Sequence, residues 1–379
     1  MQRLPALTVS LAALAIGVLW LAVPASYPFG AADAVTVSVT HLIGRDLAAG
    51  LMLASGALGL ALAFTARPAL EGGGAAAQAA LYLLVMSDAS LMASIGYALI
   101  PVVVGGALIL TAVGVARRHP VGYAAAAALA ALTIALATGL LDGGVVGRYL
   151  QSVAKGFGEF GIRIAWSWAM AAIGGVWAWL AYTSLVRGRS ATGGPRWART
   201  VTILAALGAV PYALVRLSWL TPWPLGGLDP VTGRIELVMQ STAAVDAPSA
   251  RLQGVMIGLS AILALVLTLG LISRWGERFP RWVPLVGDRD VPVKLAVVPG
   301  MIGAGVLCIA APGLVVRAVE SGYPMDAFLT LLIFPAPLWG PLLAAAVYAY
   351  WQRRAASPHT PEPEVTLNAL RRSGSSAPG

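Results

Sequence analysis

Two ionisable side chains inside apolar stretches carry most of the chemistry this sequence offers. Arg216 stands in VPYALVRLSWL after Pro211, and Asp88 stands in LLVMSDASLM. An arginine at the centre of a bilayer costs roughly 2.5–3.5 kcal/mol on insertion scales, so such a residue is a functional candidate by default. Arg216 could bind an anionic group or pair with an acid such as Asp88. It also lies near the end of its run beside Trp219 and Trp223, where a guanidinium can snorkel to the headgroups. Asp88, flanked by Ser87 and Ser90, reads either as a buried carboxylate suited to proton coupling or as the cap of a helix after a tight turn. Prolines add a third feature. Pro101, Pro211, Pro299 and Pro312 interrupt apolar runs, and LLIFPAPLWGPLL places Pro335, Pro337 and Pro341 close together. A proline frees a backbone carbonyl, and transporters line central sites with broken helices. Arg216, Asp88, Pro335 and Pro337 are therefore the candidate substrate or ion pathway.

Other constellations point to structure. Glu159 and Arg163 are four apart, which puts them on one helix face as a local pair, and Arg45 and Asp46 suit interface anchoring. GFGEFG (156–161) fits G-x-G-x-x-G formally, but no strand precedes it and no βαβ unit surrounds it. His41, His119 and His359 are scattered, and Cys308 is the single cysteine, so the sequence supports no metal site, cofactor or intrachain disulfide. Neither G-x-S-x-G nor G-x-x-x-x-G-K-[ST] occurs. No catalytic residue is assigned, and an enzyme is the less favoured class.

The elements that position these residues follow from composition. The chain has 379 residues, 58% apolar and 11% charged, with a formal charge of +9 and a mean hydropathy of +0.80. A soluble domain carries about 25% charged residues, so the expected class is an all-α polytopic transmembrane bundle. Apolar runs near 5–24, 46–66, 74–90, 92–117, 121–141, 161–186, 198–219, 252–273, 293–316 and 327–351 predict about ten helices. The stretch 74–117 is too long for one helix and is read as a hairpin turning at Asp88. With cytoplasmic N- and C-termini, seventeen basic residues fall in cytoplasmic segments and seven in external ones, as the positive-inside rule requires. Basic residues sit in short loops between runs, not on one face, which argues against nucleic acid as a partner. MQR followed by an apolar run and LAVPAS leaves a cleaved leader as the alternative for residues 1–25. In the external segment after helix seven, RIELVMQ could form a short strand or an interfacial helix. Residues 352–379 are rich in Ser, Pro, Arg and Glu and read as a disordered cytoplasmic tail beyond the transmembrane domain 1–351.

The loop RWGERFPRWVPLVGDRDVP (274–292) is the densest polar segment. Trp275, Phe279 and Trp282 step by four and three, so a short turn could lay them on the acyl boundary. Arg278 and Arg281 would stay in water, with Glu277, Asp288 and Asp290 as local partners. Trp275, Arg278, Arg281 and Trp282 are thus read as an interfacial anchor. The same R-W-G-x-R-x-P-R-W-V-P pattern, followed by VKLAVVPG and preceded by PYALVRLSW, resembles uncharacterised polytopic membrane proteins of actinobacteria. The resemblance covers about a third of the chain and implies a multi-pass protein of the bacterial plasma membrane, with no activity or site residue to carry over. The functional expectation is a secondary transporter or permease for a small or lipophilic solute. The alternatives are a non-catalytic accessory or sensor subunit whose cytoplasmic loops bind a protein partner, and a membrane enzyme on lipid-linked substrates that uses Asp88, Asp229, Glu236 or Asp246.

Overall fold

Helix α1 (Arg3–Ala22) buries Ala6, Val9, Ser10, Ala13, Gly17 and Trp20, a spacing of three and four that marks one face of a 3.6-residue helix. That face meets α2 (Thr40–Ala63), where Ala48, Ala49 and Met52 are fully buried. Small residues let the two backbones approach closely. A β-carbon on Gly56 would lie 2.8 Å from the Ser10 carbonyl oxygen, and one on Gly59 only 2.2 Å from Ser10 Oγ. Gly44, at φ 68°, kinks the first turn of α2, a conformation that glycine adopts without strain.

This computed structural model describes residues 3–29, 38–65, 68–137, 144–185, 196–221, 225–228, 235–238, 248–281, 283, 286–320 and 322–356. After α2 come α3 (Pro68–Ala80), a π-helical turn (Leu81–Val85), α4 (Ser90–Ala116), α5 (Pro120–Ala137) and α6 (Gly144–Leu185). The chain continues with α7 (Ala198–Leu207), α8 (Val210–Ser218), strands β1 (Leu225–Leu228) and β2 (Ile235–Val238), α9 (Pro248–Gly270), α10 (Val293–Glu320), α11 (Pro324–Ile333) and α12 (Ala336–Ala356). The described residues are thus almost wholly helical. The two strands pair antiparallel, Gly227 opposite Glu236, so Ile235–Val238 of RIELVMQ is a strand.

Six helical segments among the described residues are long and apolar enough to cross a membrane: 3–22, 42–63, 161–185, 198–218, 293–320 and 324–355. They identify an integral membrane protein. A seventh candidate is the bent pair 70–85 with 90–96, and shorter apolar helices cover 105–116, 120–131 and 256–270. Among the described residues the count by length and composition is six, or seven with the bent pair, against the expected ten. The last of the short helices lies within α9 (Pro248–Gly270), whose 23 residues at 1.5 Å each reach about 34 Å, enough for a hydrocarbon slab of about 30 Å.

Three further expectations change. The turn at Asp88 is not a hairpin, because the two axes bend by 78°. The segment before residue 161 is not a loop, because α6 starts at Gly144. Residues 144–160 lack proline, so nothing stops the helix there although its apolar character has faded. The runs 198–219 and 327–351 are each two helices. Pro211, in the first turn of α8, and Pro335, between α11 and α12, lack the N–H that would continue the ladder.

The packed interior falls into two groups. One core gathers residues of α1, α2, α3, the π turn and α6 around Trp20, Tyr82, Met170 and Trp177. The other joins α7, α8, α10 and α12 around Ala205, Leu307, Trp339 and Val347. The start of α4 bridges them. Leu91 packs with Val306 and Ile309 of α10, with Leu83 and Ala171 of the first group alongside.

Candidate functional site

Asp88 sits at that bridge. The helix widens over Leu81–Val85, and Met86 N–H donates to the Leu81 carbonyl across five residues at 3.0 Å. Ser87 Oγ donates to the Tyr82 carbonyl at 2.9 Å, satisfying a group that the widened turn frees. The chain then leaves the helix, and Asp88 Oδ1 accepts the Ser90 N–H at 2.9 Å. This is the capping role expected for Asp88, since the first turn of α4 would otherwise leave that donor unpaired.

The carboxylate does more than cap. The Ser90 and Ser167 hydroxyls also donate to Oδ1, the latter at 2.8 Å. Arg163 Nε donates to Oδ2 at 2.5 Å, with side-chain exposures of 8% for Arg163 and 1% for Asp88. A carboxylate so buried is tolerated because a cation and several hydroxyl or amide donors replace its water. Arg163 and Ser167 are four residues apart on α6 and present one polar stripe to α4. The stripe continues with Trp168, whose Nε1 donates to Ser94 Oγ at 3.0 Å.

Aromatic rings roof this pair at the end of α1. Trp20 is fully buried and meets Trp166 at 5.4 Å and Tyr27 at 5.0 Å, both edge-on. Tyr27 in turn meets Phe29 at 5.8 Å. Burial pushes the Tyr27 phenol up to about 12, while the positive charge of Arg163 pulls the other way.

Arg216 is elsewhere. Its guanidinium lies 4.5 Å from the Trp219 ring centroid and 5.1 Å from that of Tyr212. Its buried Nε has no hydrogen-bond partner among the described residues. The cation is held by ring faces, not by Asp88. Tyr212 leads on to Phe334 at 4.9 Å, and Phe334 to Trp339 at 5.9 Å. Phe334 and Pro335 are the break itself: Trp339 N–H donates to the Pro335 carbonyl at 2.7 Å as α12 restarts, with Pro337 in its first turn. The fold thus joins Arg216 to the Pro335–Pro337 break through an aromatic chain. Met92, one turn beyond Asp88, packs on the same cluster.

The described residues of the loop 274–292 pair into an antiparallel strap. Arg278 bridges Asp290, Phe279 N–H donates to the Arg289 carbonyl at 2.9 Å, and Val291 N–H donates to the Glu277 carbonyl at 2.8 Å. Two of the expected local ion pairs form, Arg278–Asp290 at 3.5 Å and Arg281–Asp288 at 3.1 Å. Glu277 instead takes Arg353 of α12 at 3.3 Å. Tyr350 and Arg354 of α12 also donate to strap carbonyls, those of Gly276 and Val291. Trp275 is half-buried and lies against Gly270 at the end of α9. Trp282 lies outside the described residues, as do the tail beyond Ala356, Asp229 and Asp246, together with the side chains of Glu159 and Glu236.

Two residues at these sites escape sequence reading. Arg163 has Glu159 as its obvious neighbour along the chain, although the Arg163/Ser167 stripe in an apolar helix was a signal. Asp326, in the first turn of α11, is 95% buried; its place three residues into a helix was the only hint. One surface groove is lined by Lys294, Trp351 and Arg354 and a smaller one by Arg3, Glu71 and Trp177, and neither of these two is lined by Asp88, Arg163 or Arg216. Among the described residues no group of three or more His, Cys, Asp or Glu could hold a metal ion. Comparison with protein-family models, curated proteins and solved structures returned no match to this chain.

Proposed function

We propose that the chain is a secondary transporter or permease for a small solute, held here in a closed state by the Asp88–Arg163 pair. The observation that carries this reading is a buried, hydrogen-bonded ion pair at a 78° helix break. That break lies where the two packed groups meet. Ionisable residues inside membrane domains mark substrate or proton pathways, and broken helices at the junction of bundle halves are where transporters bind. Neutralising Asp88 removes the charge that holds Arg163. The aromatic roof of Trp20, Tyr27 and Trp166 then loses the anchored arginine beneath it. The plasma membrane of a bacterium, with this roof on the external side, belongs to the same proposal.

The second reading is a non-catalytic membrane subunit. It is favoured by one observation: neither groove reaches Asp88 or Arg216. Proteoliposomes loaded with a pH-sensitive dye and challenged with a broad solute panel separate the two. Transport predicts solute-dependent proton movement in the native protein and none in the charge-free variant D88L/R163M, with both recovered folded in similar yield. No flux from the native protein across the panel, or equal flux from the charge-free variant, would overturn the transporter reading.

A further inference from the structure

We infer that the groove between the start of α10 and the end of α12 is a binding site for an anionic phospholipid. The helices pack tightly where Gly300 faces Val347, a β-carbon on Gly300 lying 2.7 Å from the valine. Toward the strap they enclose a groove of about 340 Å³ lined by Val293, Lys294, Val297, Val298, Trp351 and Arg354. Its floor is apolar and its rim carries two cations. Arg354 is held in place by donating to the Val291 carbonyl at 2.9 Å, and Lys294 is exposed.

Charge complementarity selects the occupant. The strap and the two helix ends hold seven cations (Arg274, Arg278, Arg281, Arg289, Lys294, Arg353 and Arg354) against three carboxylates. Each carboxylate already has an arginine: Glu277 has Arg353, Asp288 has Arg281, and Asp290 has Arg278. Lys294 and Arg354 have no acid partner among the described residues. The dipoles of the two helix ends oppose one another here, so the field of the groove comes from its side chains.

The walls select a lipid over a soluble anion. From the groove an exposed stripe of Leu295, Val298, Met301 and Ile302 runs along α10, a path for an acyl chain. Trp351 sits at the rim, where an indole suits the headgroup level. Basic pockets between helices at a membrane face take phosphate headgroups. A phosphodiester between Lys294 and Arg354, with its chain along Val298, satisfies both features.

The test is native mass spectrometry of the full chain in detergent, titrated with phosphatidylglycerol or phosphatidylcholine, with inorganic phosphate as a third arm. Phosphatidylglycerol should bind at least tenfold more tightly than phosphatidylcholine. K294Q, at an exposed side chain, should weaken phosphatidylglycerol about fivefold, and K294Q/R354Q should erase the preference, each cation contributing roughly a fivefold effect. R117Q/R118Q removes two exposed cations at the turn between α4 and α5 that do not line the groove and should leave the preference intact. The inference falls if there is no preference, if R117Q/R118Q weakens binding as much, or if millimolar inorganic phosphate displaces the lipid, which would make it a soluble-anion site. Lipid binding that appears only after residues 357–379 are removed would assign the groove to the tail and also overturn it.

Discussion

Asparagine at position 88 keeps the shape of aspartate and removes its charge. Arg163 Nε lies 2.5 Å from Oδ2, and with charge centres about 4 Å apart and an effective dielectric near 20 their attraction is about 4 kcal/mol. Stripping one partner from a buried pair typically costs about 3–5 kcal/mol, because the remaining charge stays desolvated. D88N should therefore lose about 3–5 kcal/mol of stability, and R163Q a similar amount. Because the amide oxygen of an asparagine can still accept the Ser90 N–H, the loss reports the charge and not the α4 cap.

The double variant separates the pair from its parts. D88N/R163Q should lose less than the sum of the single variants, with a coupling of up to about 3 kcal/mol, the range found for residues in direct contact. D88L/R163M replaces both charges with apolar groups of similar volume and should fall within about 1 kcal/mol of the native protein, that remainder being the lost cap on α4. Reversible unfolding in mixed micelles with rising SDS fraction, followed by tryptophan fluorescence, measures all five proteins. If D88N unfolds at the native SDS fraction, or if the losses of the single variants simply add, the buried pair is not what stabilises the bend.

Other perturbations test separate contacts. A phenol raised to about 12 in the fold, against about 10 unfolded, favours the native state fully below pH 10, and that advantage drains away as pH rises from 10 to 12. Y27F should therefore flatten the alkaline limb of stability and remove one late-titrating phenolate from the ultraviolet spectrum. G59A puts a β-carbon 2.2 Å from Ser10 Oγ and 2.7 Å from the Trp177 ring. It should destabilise by about 1–3 kcal/mol as overpacking does, and S10G should restore part of the loss in the same micelle assay. R216K exchanges a planar cation stacked on Tyr212 and Trp219 for a point charge and should cost about 0.5–2 kcal/mol, whereas R216K with no effect would place the cation in solvent.

Apolar runs are legible because burial in lipid is a property of each segment alone. The breaks at Pro211 and Pro335 are legible because a missing N–H is a local defect. The strand at Ile235–Val238 and the ion pairs of Asp288 and Asp290 are equally local. The pairing of Arg163 with Asp88 is not, since the two lie 75 residues apart and meet only once α4 crosses α6. A local reading of Arg163 offers Glu159, four residues off, whose side chain lies outside the described residues. The length of α6 is hidden for another reason. Hydropathy registers where a helix is apolar, but the backbone ladder runs on through Gly144–Phe160 wherever proline is absent. Glu277 illustrates the same limit in the strap: its arginine is not a neighbour in the loop but Arg353, on a helix that ends more than seventy residues later.

A buried ion pair is a poor way to stabilise a bend, since leucine and methionine would hold it about as well. What charges add is dependence of one side chain on the other. Neutralising Asp88, as D88N does, removes an attraction of about 4 kcal/mol, enough to move a two-state equilibrium roughly a thousandfold. In the proposed transporter the two states are the bend closed on Arg163 and the bend released. The release has a route onward. Met92 rests on the cluster of Phe334 and Trp339, and Phe334 borders the second break at Pro335. In that reading, movement of the first turn of α4 presses on the joint between α11 and α12. Arg216 waits at the far end of that aromatic chain, a cation held by rings and without an acid among the described residues, as a site for an anionic group would require. The two candidate sites are thus parts of one device only if they are coupled. D88N should then change the accessibility of a cysteine placed at Leu338, which is exposed beside the break, and unchanged labelling there would leave them as independent features.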